Sequence, residues 1–247
     1  MTFRTLAATV VLIFAAVGAD AQQYTYKRFL VPIYVTNVPG ANGSIWTSSF
    51  VVANRGGETV SIAPDTVADW ALTAGFSSFV RLTPGKSPMP GVVVWLGSLN
   101  AEPDVTFTLR VQDVSRQGET WGTTLPVVPP QEFAPAISLH DVPRVAGFRT
   151  MLRVYALDLD APRDVRVTVY DGHVRRAFNA QVVTLQPGRY FTEPAYAQLD
   201  LTAFVPPDPH PRSTADVRIE SLDGTPIWAF ISVTHNVSQH MTAILPQ

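Results

Sequence analysis

Polar and apolar residues alternate along much of this chain. Residues 105–112, VTFTLRVQ, put Val105, Phe107, Leu109 and Val111 on one side and polar residues on the other. Residues 165–170, VRVTVY, repeat the pattern, and Thr150, Leu152 and Val154 form a third row. Side chains of a β-strand point to alternate faces, so a period of two lays one row on a core and the other in water. These runs predict strands. Turn residues separate them. Asp171-Gly172 predicts a two-residue hairpin turn, because glycine accepts the positive φ such turns need. Pro84-Gly85 and Pro187-Gly188 have the residue order of a type II turn. No window beyond residue 21 holds a helical period, so helix is expected to be minor.

The pattern also recurs on a larger scale. Residues 92–115, VVVWLGSLNAEPDVTFTLRVQDVS, align without gaps on residues 215–238, ADVRIESLDGTPIWAFISVTHNVS. The alignment pairs Val94 with Val217, Ser98 with Ser221, Phe107 with Phe230 and Val114 with Val237. Each copy reads as strand, polar turn, strand. Ile227, Ala229, Ile231 and Val233 would meet the apolar face of the first copy better after a one-residue slip. Such a slip exchanges the two faces, so a bulge or a shift is expected there. Flanking matches extend the repeat. Asn37-Val38-Pro39 answers Asp141-Val142-Pro143, the segment from Trp46 answers that from Phe148, and residues 80–85 answer 183–188. Leu125-Pro126 answers Leu245-Pro246.

These readings predict an all-β fold of two tandem β-sandwiches, residues 22–130 and 131–247, each with its own core. A barrel is the structural alternative. Residues 127–131, VVPPQ, form the expected linker, stiffened by two prolines. The second domain carries a Pro-rich insert near 190–213. It reads as a long loop with one helical turn at residues 196–201.

The order VPGANGSIWTSSFVVANRGG (38–57), VTLQPG (183–188) and a terminal ILPQ (244–247) resembles secreted bacterial proteins with tandem immunoglobulin-like β-sandwich repeats. The resemblance covers nearly all of the chain after residue 21. It implies a fold and a compartment, and it supplies no site.

The first 21 residues read as a secretory signal peptide. Arg4 gives the positive start, residues 6–17 an apolar run, and Ala19-Asp20-Ala21 the cleavage site. The run is shorter than the roughly 20 residues a membrane span needs, so no membrane insertion is expected after cleavage. The expected location is therefore secreted, extracellular or periplasmic. Zero cysteines remove disulfides, thiol catalysis and thiolate zinc sites. Charged residues are 15% of the chain and the net charge is −2, with no basic stripe, so a nucleic-acid partner is not expected.

Candidate chemistry is sparse. The chain contains no G-x-S-x-G nucleophile elbow and no G-x-G-x-x-G phosphate loop. Of five histidines only His235 and His240 lie near each other, at a spacing that favours opposite faces unless a turn intervenes. Asp158, Asp160 and Asp164 make a small acidic cluster that reads as a solvated loop rather than a calcium site, with Arg163 inside it. No cofactor and no metal is expected, and an enzyme is not. A hydrolase of unrecognised type is the least favoured alternative. The leading expectation is an exported non-catalytic binding or structural module, in adhesion or assembly, meeting a protein or surface glycan through loops or strand edges. Self-association through edge strands follows from the same logic. The insert residues Tyr196, Phe204 and His210 are the expected partner-binding group, and deleting the insert is expected to leave the fold intact. The alternative is carbohydrate binding through exposed aromatics, with Trp70 and Trp121 as the candidates.

Overall fold

The computed structural model of the chain describes residues 25–63, 70–79, 91–98, 103–118, 121–157, 160–188, 192–205, 207–208, 210 and 213–247. The expected signal segment, the Pro84-Gly85 turn and Asp158 lie outside these residues. Strands dominate, and the described residues include no α-helix, only 3₁₀ turns such as Val114–Arg116. The first half contains β1 (Thr25–Val31), β2 (Val38–Pro39), β3 (Ile45–Asn54), β4 (Val60–Ala63), β5 (Trp70–Leu72), β6 (Ser77–Phe79), β7 (Val92–Ser98), β8 (Val105–Asp113) and β9 (Thr123–Leu125). The second contains β10 (Ala136–Pro143), β11 (Phe148–Ala156), β12 (Arg163–Asp171), β13 (Ala177–Leu185), β14 (Ala195–Asp200), β15 (Thr214–Ser221), β16 (Trp228–His235) and β17 (Met241–Ile244).

The strands form four antiparallel sheets, two from each half. In the first half the orders are β1-β7-β4-β5 and β2-β3-β8-β9, with β6 also paired to β3. In the second they are β10-β15-β12-β13 and β14-β11-β16-β17. The four strands of one sheet in each half follow the same order along the chain, and β14 stands beside β11 as β6 stands beside β3. Among the described residues no strand of one half pairs with a strand of the other. Phe29 of β1 meets Phe107 of β8 at 4.8 Å between ring centres, so the first two sheets face each other. In the second half β10 packs on β11, β16 and β17.

The pairing register decides the expected slip. Phe50 sits opposite Leu109, and Leu152 sits opposite Ile231, each pair fully buried. Leu109 therefore corresponds to Ile231, whereas the ungapped alignment would give it Ser232. β7 and β15 keep the ungapped match, since Phe29 faces Val94 and Leu139 faces Val217. The shift thus falls in the turn between the two strands, which is one residue shorter in the second copy. The flanking match of Asn37 with Asp141 is conformational. Both residues take positive φ, 52° and 61°, a region that Asn and Asp tolerate better than most. The strands that follow differ: Val38 pairs with β3, Val142 with β15.

Local expectations need three corrections. Asp171-Gly172 does not make a two-residue turn, because β13 resumes only at Ala177 and the positive φ falls on Arg175. Asp171 instead accepts bonds from the amides of His173 (2.9 Å) and Val174 (3.1 Å), and a Cβ on Gly172 would lie 2.9 Å from the Thr214 hydroxyl. Gly188 has no positive φ, so Pro187-Gly188 is not a type II turn; a side chain there would collide with the carbonyl of Glu193. The helical turn expected at 196–201 is a strand, β14, bonded along β11 from Met151 to Ala156.

The two halves meet along a buried seam. The apolar interior is one continuous cluster and not two separate cores. Tyr155, fully buried, donates its hydroxyl to the carbonyl of Pro32. A Cβ on Gly91 would lie 3.0 Å from the Tyr155 ring, so the backbone of the first half passes directly against it. Val93 donates its amide to Thr192 at 2.7 Å, and the Thr123 hydroxyl bonds the Met241 carbonyl. At one margin the Asn42 amide side chain donates to the carbonyl of Asn236 (2.7 Å), and Arg116 reaches the carbonyl of Val237 (3.1 Å). The expected linker is anchored on each side of the seam: Val128 exchanges both backbone bonds with Leu30 of the first half, and Ala134, just past the linker, does so with Ile227 of the second.

Candidate functional site

The insert is built into the second half. Ala195, Leu201 and Val205 are buried, and Arg144 holds the returning chain by ion pairs to Asp171 (2.9 Å) and Asp208 (3.6 Å). The same guanidinium lies 5.1 Å over the Phe178 ring. Backbone bonds from Val174 and then His173, followed by Arg144, hold the Asp171 carboxyl below its ordinary value. Deleting the insert would strip β14 from its sheet and open the core, so the expectation that the fold survives such a deletion is corrected.

Of the partner-binding candidates, Tyr196 is half-buried in β14, its ring stacked 6.2 Å from Tyr155. Phe204 is half-buried, and its carbonyl accepts a bond from Asn179. His210 is exposed, its amide bonded to the Asp208 carboxylate at 2.9 Å. Tyr196 and Phe204 thus pack inward while His210 faces water. Of the carbohydrate candidates, the Trp70 side chain lies outside the described residues. Trp121 is 72% exposed, with the Arg110 guanidinium 5.0 Å over its ring. One indole face carries the cation, and the rest meets solvent.

The feature that the sequence left unnamed is β13. Its nine residues, AFNAQVVTL, carry no charge and no proline, and they form an end of the sheet β10-β15-β12-β13. β12 is its strand partner among the described residues. Ala180, Gln181, Val182 and Thr184 are exposed, Val182 at 49%. Natural edge strands are commonly blunted by Lys, Pro or brevity, and β13 has none of the three. A register shift lies near Val169 and Tyr170 at the hairpin end, Asn179 donates to the Phe204 carbonyl, and Gln186 just past Leu185 exchanges backbone bonds with Tyr196, so the exposed stretch is the middle, from Ala180 to Thr184.

Other groups have local duties. His235 and His240 are joined by a turn, their backbones bonded at 2.9 Å, and the His235 ring bonds the Ser238 hydroxyl that shares that turn. His140 pairs with Asp216 at 3.0 Å on the sheet surface. Asp160 and Asp223 both pair with Arg163, and Asp164 accepts a bond from Thr184. Asp223, bonded chiefly to the Thr225 amide and hydroxyl, has its pKa lowered to about 2. Among the described residues no three metal-ligating side chains converge. No helix among them is long and apolar enough to cross a membrane. A cleft of about 820 Å³ lies between β1, the start of β8 and the linker, with Tyr26, Phe29, Phe107 and Pro130 in its walls. Its described lining holds no histidine, serine or aspartate. Comparison with protein-family models, with curated proteins and with solved structures finds no match to this chain.

Proposed function

We propose that the protein is an exported, non-catalytic binding or structural module, serving adhesion or assembly at a cell surface or matrix. In this reading it is two tandem immunoglobulin-like β-sandwiches behind a cleaved signal peptide. The matched strand orders and the matched registers of Leu109 and Ile231 support the duplication. The observation that carries the function is the uncharged, exposed edge of β13. An open edge offers a row of backbone donors and acceptors to an incoming strand. The partner is a second copy of the same edge, related by a two-fold axis. Antiparallel pairing of β13 with itself sets no like charges opposite each other, and Val182 supplies an apolar cross-strand contact.

Sedimentation equilibrium of the exported form tests this. The wild type should be a reversible dimer. Val182→Lys puts two cations at the joint, each costing up to about 1 kcal/mol, so the dimer constant should weaken on the order of tenfold. Because Val182 is exposed, the melting temperature should hold. A wild type that stays monomeric, or a dimer indifferent to the lysine, rejects the edge as the joint.

The exposure of Trp121 favours a second reading, carbohydrate binding by stacking on the free indole face. A glycan array should then show hits that vanish in Trp121→Ala. An array without hits ends that reading.

A further inference from the structure

We propose that the cleft where β2 and the start of β3 cover the face of β11 and β16 is a binding site for a small molecule bearing two or more anionic groups, held by Arg149 and Arg153. This goes beyond the β13 reading and does not depend on it. The cleft is about 220 Å³ and is lined from both halves, by Val38 and Trp46 on one side and by Arg149, Arg153, Gln198 and Ser232 on the other. That volume is about seven waters' share, room for a small dicarboxylate.

The chemistry of the lining points to an anion. Two guanidinium groups share the cleft, and its described lining contains no acidic side chain. Arg153 is only 4% exposed; it donates to the Ser232 hydroxyl at 2.9 Å and lies 5.7 Å over the Phe230 ring. Arg149 donates from Nη2 to Gln239 at 2.6 Å, while its buried Nε meets no acceptor among the described residues. A guanidinium keeps its charge at any physiological pH, and holding one away from water is costly unless negative charge lies near. Its planar fork fits the two oxygens of a carboxylate or a phosphate. Arg149 and Arg153 occupy the same face of β11, with Met151 between them. Two guanidinium groups on one strand face and in one cleft can each engage a separate anionic group, which favours a ligand with two such groups over a single carboxylate. Gln198, Ser232 and Thr234 offer neutral donors for the remaining oxygens.

The test is a titration of the purified protein in Tris chloride at fixed ionic strength, read by calorimetry and by melting temperature. The probes are citrate, succinate, inorganic phosphate and acetate. A saturable rise in melting temperature with citrate or succinate, exceeding that with acetate, assigns the site to polycarboxylates. A response to phosphate alone, a single anionic group, overturns the two-group ligand. Arg149→Gln, at a half-buried position, should fold normally and weaken the affinity on the order of tenfold or more. Arg153→Lys keeps the charge but loses the fork, and should weaken it as well. No saturable response to any probe overturns the proposal. So does a response that Arg149→Gln leaves unchanged, since that is a general salt effect.

Discussion

Tyr155 ties the two halves of the chain with a single side chain. Its ring packs against Trp228, Phe230 and Tyr196 at 6.2 to 6.5 Å, and its hydroxyl satisfies the Pro32 carbonyl. Burial pushes its phenol well above the ordinary range, because the ionised form would lose water. The sign follows. Below about pH 10 folded and unfolded chains both hold the proton, and the contribution is whole. As pH rises further the unfolded chain ionises first, so stability falls. Tyr155→Phe should cost about 1–3 kcal/mol at neutral pH, by leaving the Pro32 carbonyl without its donor. It should also flatten the loss of stability above about pH 10. Urea melts at neutral and alkaline pH check both; equal stability of the two proteins across the range would contradict the assignment. Other buried polar residues were not legible in the sequence. Asp113 is 1% exposed and accepts bonds from the Ile45 amide and from the amide and hydroxyl of Ser115. Asn54 is 2% exposed and donates to the carbonyls of Glu58 and Leu72. Most of these partners are backbone groups, and those at Ile45 and Leu72 lie far along the chain, so composition and spacing carry no trace of them. Arg153 escaped for the same reason: nothing in the period of β11 marks one of its arginines as buried.

At the scale of the element, alternation located the strands well where one face meets water. Val165, Val167 and Val169 are fully buried while Asp164 and Arg166 are exposed, as the period of two requires. The second copy of the long hairpin was harder to place. In β16 every residue from Trp228 to Val233 is buried, because Ala229, Ile231 and Val233 follow the core row while Trp228, Phe230 and Ser232 turn to the seam. A strand covered on both faces loses its alternation, and with it the register signal. The non-alternating run WAFISV was thus the visible trace of the seam, read as an alignment blemish. β14 was missed for a different reason. Its sequence, AYAQLD, is short, and four of its residues have good helix propensity, while the pairing with β11 that fixes it as a strand is long-range. β13 was unremarkable by composition. Its significance depends on being last in the sheet, which no local pattern records.

At the scale of the molecule, the all-β character could be read from the sequence, but the joining of the halves could not. The expected pair of separate cores gives way to an interior that continues through Tyr155, Trp228 and Phe230. This matters for function, since the proposed anion cleft exists only where the halves close together, and β13 belongs to another sheet and contributes no residue to the described lining of that cleft. Domain interfaces within a chain are commonly small and loosely coupled. A seam that buries a tyrosine, a tryptophan and an arginine should couple the halves instead. Scanning calorimetry of the whole chain measures that coupling most directly. A single transition, with calorimetric and van't Hoff enthalpies equal, is the expected result. Two resolved transitions, each with the enthalpy of about half the chain, would show that the halves melt independently and that the seam does not hold them as one body.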